Sequence, residues 1–184
     1  MRQCELLVIG GGPAGLSAAI QAAKAGAKVI VVEANAEAGG QLVKQTHKFF
    51  GSKEHRAGTR GIVIAQILRD QCKEYNVEVM LNSLVMGIYA DHVVAIDVKK
   101  SLTEHNIERI QAKKIVISTG TSENSIRFKG WTLPGVMGAG AIQTMCNYHR
   151  VLPGKRLLMI GSGSVGLSVC YQLMQAGAEI VGIV

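Results

Sequence analysis

Three glycines, Gly10, Gly12 and Gly15, follow the apolar run Glu5-Leu-Leu-Val-Ile9 and open a stretch of small residues. Glycine at the first place permits a sharp exit from a strand. At the second it removes the side chain that would block a phosphate, and at the third it lets a helix lie close on the sheet. Pro13 and Ala14 complete the turn, at the start of a helix whose first N–H groups lack partners and whose dipole is positive. The chemistry this arrangement supports is binding of a pyrophosphate. A second apolar run, Lys28-Val-Ile-Val-Val32, ends at Glu33, about 20 residues on from the fingerprint, where a carboxylate can accept hydrogen bonds from both hydroxyls of an adenosine ribose. Strand, glycines, small-residue helix, Gly26, second strand and Glu33 all agree, so the turn is read as the site of an ADP moiety rather than a plain corner. The fingerprint does not separate FAD from NAD, since both carry ADP.

The elements that must hold these residues follow from hydrophobic periodicity. A helix is predicted from Pro13 to about Ala25, stopped by Gly26, and a second one to about Tyr75 from Ile64, Leu68, Cys72 and Tyr75. Val77, Val79 and Leu81 alternate as a strand, and short strands with polar turns at Asp91-His92 and Glu104-His-Asn106 predict an antiparallel insertion. Ile115-Val-Ile117 reads as a further short, buried strand leading into Ser118-Thr-Gly120, and a helix is predicted from about Ala139 to Tyr148. Arg156-Leu-Leu-Met-Ile160, then Gly161, Gly163, Ser164, Val165 and Gly166, then an apolar helix and Glu179 to Val184, repeat the opening unit without gaps. In that alignment Val184 falls opposite Glu33.

Composition fits a compact α/β protein: 48% hydrophobic residues, 18% charged, 22 Gly and only 3 Pro. The net charge of +7 raises the question of nucleic acid, but Lys and Arg are scattered, aromatics are 4%, and no basic-aromatic motif occurs, so no nucleic-acid partner is expected. Cys4, Cys72, Cys146 and Cys170 form no Cys-x-x-Cys pair, and no His cluster has metal-ligand spacing, so reduced thiols and no metal are expected. No apolar run approaches the roughly 18 residues of a membrane span, and the first strand begins too early for a signal peptide. A cytoplasmic protein with no membrane association is the expectation.

The residues Gly10-Gly-Gly-Pro-Ala-Gly15, Glu33, Gly39-Gly-Gln41, Ser118-Thr-Gly120 and Gly161-Ser-Gly-Ser-Val-Gly166 resemble, in order and spacing, the two-dinucleotide-binding-domain flavoproteins, the pyridine nucleotide-disulphide oxidoreductase superfamily. The resemblance covers almost the whole chain. It implies a Rossmann-like, three-layer FAD-binding domain with an antiparallel β insertion, followed by the start of a second Rossmann-like unit for NADH or NADPH. It places Gly40 and Gln41 near flavin and pyrophosphate, Ser118, Thr119 and Gly120 at the crossover beside FAD, and Leu84 where backbone groups meet adenine. Leu84 as a core residue would look no different. His47, Phe49 and Phe50 fit equally beside the flavin ring or as packing of their loop, and Cys146 reads as an inert helical thiol.

Within the superfamily, Gly130-Trp-Thr-Leu-Pro-Gly-Val-Met-Gly-Ala-Gly140 and Leu152-Pro-Gly-Lys155 look most like alpha-type subunits of sarcosine oxidase, opine oxidase, hydrogen cyanide synthase and dye-linked proline dehydrogenase. That implies an oligomer, homomeric or with an amine-oxidising partner subunit, in which electrons move between NAD(P)H, flavin and a partner centre. No redox Cys pair accompanies either glycine turn, and dithiol exchange needs a second, resolving sulfur, which argues against thioredoxin reductase activity. The expected division is 1–123 for the first part of the FAD domain, 124–153 as connection, and 154–184 as the incomplete start of the NAD(P) domain. On this reading the chain is a fragment, or its remainder lies on another chain, and residues from about Gly154 onward must pack on the first domain, a partner or a second copy. Two other functions fit the residues: a non-catalytic subunit holding ADP, ATP or NAD, and a stand-alone NAD(P)H-dependent flavin reductase.

Overall fold

The computed structural model describes all 184 residues, which divide into two compact units, Met1–Val43 with Ile62–Gly120, and Lys44–Gly61 with Thr121–Val184. In the first unit β1 (Arg2–Ile9), β2 (Val29–Val32) and β3 (Glu78–Met80) are parallel neighbours, with α1 (Pro13–Lys24) linking the first two and α2 (Gly61–Glu74) preceding the third. The sheet runs β3-β2-β1-β6-β5-β4, where β4 is Ser83–Ile88, β5 Val93–Lys99 and β6 His105–Ile117. This is the Rossmann-like α/β architecture with its antiparallel insertion.

All four residues of β2 are buried, as a strand covered on both faces requires. Alternation along β1 sorts the layers. Val8 lies under α1, since a Cβ on Gly15 would stand 3.1 Å from it. Leu7 and Ile9 turn the other way, into a cluster with Ile30, Val32, Val94, Ile96, Ile110 and Ala112. The antiparallel strands therefore cover one face of the parallel sheet while α1 packs on the other, the expected three layers.

Two boundaries differ from the sequence reading. β1 starts at Arg2 rather than Glu5, because β6 pairs with it from Arg2↔Ile110 onward and the Arg2 guanidinium bonds Glu108 of neighbouring β6 and Glu78 of β3, two strands away. Ile115-Val-Ile117 is not a separate buried strand. It is the end of β6, whose first half pairs antiparallel with β5 and whose second half pairs parallel with β1, and Ile117 is 65% exposed. One strand can serve both neighbours because its two edges carry independent rows of backbone donors and acceptors.

The second unit holds α3 (Ala139–Gln143), β7 (Arg156–Met159), α4 (Ser164–Gln175) and β8 (Glu179–Ile183). The helix predicted to Tyr148 is α for only its first part and continues as a π-helical turn, Thr144–Tyr148. Ile142, Val169, Leu173 and Ala178 form the core here, with Leu157, Met159 and Ile180 of the β7-β8 pair packed against it. β7 and β8 are parallel, and their register slips by one residue between Leu157↔Ile180 and Leu158↔Gly182.

Candidate functional site

The first glycine turn is held from several sides. Gly10 has φ +103, and a Cβ there would lie 2.4 Å from the Ser118 carbonyl oxygen; one on Gly15 would lie 2.0 Å from the Gly10 carbonyl oxygen. Both positions are closed to any side chain. Gly12 differs, since its Cβ would meet only the Gly40 Cα, at 3.9 Å. Its lack of a side chain is therefore not a packing demand. Gly12 caps α1 without any side-chain hydrogen bond, Pro13 stands in the first helical turn, and Pro13 and Ala14 are exposed. Proline there gives up an N–H that the helix could not use, while those of Ala14 and Gly15 have no partner within the helix. This is an open anion cradle at a positive helix end.

Glu33, only 6% exposed, sits beside it. Its Oε2 accepts from the Gly11 N–H at 2.8 Å, and its Oε1 accepts from the Asn35 N–H at 2.8 Å and Asn35 Nδ2 at 2.7 Å. A carboxylate has about four acceptor positions, so three of them are engaged by the chain itself. The vacant one is on Oε2. The sequence expectation of two ribose hydroxyls on Glu33 is thereby narrowed: in this geometry one hydroxyl fits without displacing a bond.

Gly39 and Gly40 come directly against the turn. The Gly39 N–H donates to the Gly11 carbonyl at 2.7 Å, and a Cβ on Gly40 (φ +54) would stand 2.8 Å from the Gly12 Cα. Arg69 holds the preceding loop by hydrogen bonds to Glu37 and to the Ala38 carbonyl. Gln41 is exposed. Ser118 Oγ is directed into the fold, with the Ile9 and Gly10 carbonyl oxygens each at 3.0 Å, while Thr119 and Gly120 (φ +76) are exposed beyond it. Leu84, 53% exposed, follows Ser83, whose N–H bonds the Glu33 carbonyl at 2.9 Å. So Gly10, Gly12, Pro13, Ala14, Gly15, Glu33, Gly40 and Ser118 are brought together, and Leu84, in the edge strand β4, follows the residue bonded to Glu33 just past β2.

In the second turn Gly161 has φ +109 and a Cβ on Gly166 would lie 2.6 Å from the Gly161 carbonyl oxygen, repeating the first turn's close approach. Gly161, Gly163, Ser164 and Val165 are exposed, and Gly163 caps α4 without a side-chain bond. The strand end differs. Gly10 N–H bonds the Val32 carbonyl, whereas Gly161 N–H bonds that of Val184. Val184 is thus the counterpart of Val32, not of Glu33, because the extra residue at Val181 shifts β8 by one.

Sequence reasoning missed a group of polar side chains in the second unit. Gln143, Asn147 and Gln172 are buried, and Gln172 Nε2 lies 2.9 Å from His47 Nδ1. Lys44 Nζ contacts the Gly140 carbonyl and Thr144 Oγ1, burial pushing its ammonium below the usual lysine range while the attraction of Glu123 opposes the shift. Glu123 in turn accepts from the Ala139 and Gly140 N–H groups at the start of α3. No periodicity links residues so far apart in the chain; only the π-helical turn flagged the region, and it is not visible in sequence.

The chain is 34% identical to the alpha subunit of sarcosine oxidase from Rhizobium meliloti, over 98% of its own length and 19% of that protein. It is 30% identical to the A subunit of opine oxidase from Agrobacterium tumefaciens, over 94% of this chain and 35% of that one. It therefore spans roughly a fifth to a third of these relatives. Among solved structures, L-proline dehydrogenase from P. horikoshii superposes with TM-score 0.83 at 22% identity over 98% of this chain and 35% of that one. Thioredoxin reductase of T. acidophilum gives 0.66 at 22%, over 100% and 55%. The family described as pyridine nucleotide-disulphide oxidoreductase matches residues 4–184, and the chain belongs to it.

Proposed function

We propose that the turn from Gly10 to Gly15 binds the ADP half of FAD, and that the chain works as part of an FAD-dependent oxidoreductase. The observation that carries this is the uncapped start of α1, open at Gly12, with buried Glu33 hydrogen-bonded to the turn. In this reading the N–H groups of Ala14 and Gly15 take the pyrophosphate, and the vacant lone pair of Glu33 takes a ribose hydroxyl. Gly40, held against Gly12, keeps side chains away from the phosphates. In the same reading Gln41, Thr119 and Gly120, all exposed, contact the cofactor further along, and Leu84 offers backbone groups to adenine. Bound FAD supplies the hydride and electron chemistry.

The second turn, Gly161, Gly163, Ser164, Val165 and Gly166, is proposed to take NADH or NADPH, with 1–123, 124–153 and 154–184 as FAD part, connection and NAD(P) part. The names of its relatives, a sarcosine oxidase subunit and an opine oxidase subunit, support a role as one subunit of a multi-subunit oxidase; an amine-oxidising partner and a cytoplasmic location belong to the same proposal. No helix is long and apolar enough to cross a membrane.

The test is the colour of the purified protein and its response to added FAD. A yellow protein that retains FAD stoichiometrically is expected, with bleaching by NADH or NADPH where the second unit is complete. A colourless protein that refuses FAD but holds ADP, ATP or NAD would overturn the reading in favour of a non-catalytic nucleotide-binding role.

A further inference from the structure

The buried amides of the second unit form a chain whose orientation is fixed from one end. The Lys44 carbonyl oxygen can only accept, so the group of Asn147 that meets it at 2.8 Å must be the amide nitrogen. That nitrogen also lies 2.8 Å from the Gln172 amide, which must therefore present its oxygen. Gln143 Nε2 donates to the same oxygen at 2.9 Å. Turning Gln172 over would set its NH2 against two other NH2 groups, and turning Asn147 over would set oxygen against oxygen. Gln172 Nε2 consequently faces His47 Nδ1, at 2.9 Å, as a donor.

We propose that Gln172 is a positioning residue that donates to His47 Nδ1 and so fixes the ring in the tautomer with the hydrogen on Nε2. Nδ1 must accept from Gln172, so the proton resides on the far nitrogen. Phe49 stacks on the ring with centroids 5.4 Å apart and planes 16° apart, which limits its rotation. The burial of Gln172, Asn147 and Gln143 protects the chain of bonds from water, and each would be costly to leave half-satisfied. The inference is independent of what the first unit binds.

Two-bond proton–nitrogen correlation spectra of the uniformly 15N-labelled full chain, with the His47 signal identified by its loss in His47→Gln, test this directly. The expected wild-type pattern is that of a single tautomer, with Nδ1 and Nε2 at fully separated limiting positions. Gln172→Glu replaces the donor by an acceptor and is expected to move the hydrogen to Nδ1 or add a second one. Gln172→Leu, which adds no charge, is expected to return the averaged pattern of a freely exchanging ring, so the inference stays testable if the Glu variant does not fold. An averaged, inverted or doubly protonated pattern in the wild type, or one unchanged in a folded Gln172 variant, would overturn it.

Discussion

The Gly11 N–H donates to Glu33 Oε2 at 2.8 Å, joining the turn proposed to take phosphate to the carboxylate proposed to take ribose. Asn35 closes the other side with two bonds to Oε1. The carboxylate is thus fixed before any ligand arrives, which lowers the ordering cost of binding. It also means that Glu33 has two tasks.

Those tasks separate by substitution. In Glu33→Gln one carboxylate oxygen becomes an NH2, which faces either the Gly11 N–H or the two Asn35 donors, so a bond is lost and a clash introduced. Hydrogen bonds to charged groups contribute about 1.5–3 kcal/mol, so ADP affinity by calorimetry is expected to fall about tenfold or more. Asn35→Ala leaves the carboxylate intact and removes only the side-chain donor to Oε1, the backbone N–H of residue 35 staying in place, so a smaller loss is expected. Equal affinities in all three proteins would remove Glu33 from the site.

Gly12 and Gly15 are alike in the motif and opposite in packing. Gly15→Ala drives a Cβ onto the Gly10 carbonyl at 2.0 Å and must push α1 off the sheet, so a stability loss of about 1–3 kcal/mol is expected in denaturant titration. Gly12→Ala meets nothing closer than 3.9 Å and has an ordinary extended φ of −75, so the midpoint is expected to hold while ADP and FAD binding fail. A Gly12→Ala protein that binds normally would show that the phosphate lies elsewhere.

This contrast marks how far the sequence could be read. Spacing announced the turn, because pyrophosphate, strand exit and helix packing each need glycine at a set interval. It could not say which glycine serves which need, since that depends on what stands opposite: Ser118 against Gly10 and Gly15, Gly40 against Gly12. Nor could a gap-free repeat reveal the bulge at Val181, where residue types match but hydrogen bonds shift by one. The Asn147, Gln172 and His47 chain lay outside any local pattern, because its members meet only in the folded unit.

The buried thiols give a pH dependence. Burial pushes Cys72 up to about 11 from 9.0, and Cys4 and Cys170 are raised for the same reason. An acid whose folded value is raised stabilises fully below its unfolded value and loses that contribution as pH climbs through the folded one. For Cys72 the loss runs from about pH 9 to 11, and at about 1.4 kcal/mol per unit it approaches 3 kcal/mol. Cys72→Ala is expected to lessen the fall in unfolding free energy across that window. Identical alkaline curves for both proteins would contradict it.

Ser118 supplies the last test, because the family resemblance sets its segment beside FAD while its hydroxyl is engaged within the chain. Oγ lies 3.0 Å from both the Ile9 and the Gly10 carbonyl oxygens, and its single hydrogen serves these two acceptors, which pins the exit of β1 to the end of β6. A hydroxyl so engaged holds the shape of the turn and has no hydrogen left for a cofactor. Ser118→Ala removes a bond contributing about 1 kcal/mol, and in a chain of this size that lowers Tm by roughly 2–4 °C. FAD affinity measured below the onset of unfolding is expected to change less than twofold. If affinity instead falls tenfold while Tm stays fixed, Ser118 contacts the cofactor, and the turn must open on binding to release it.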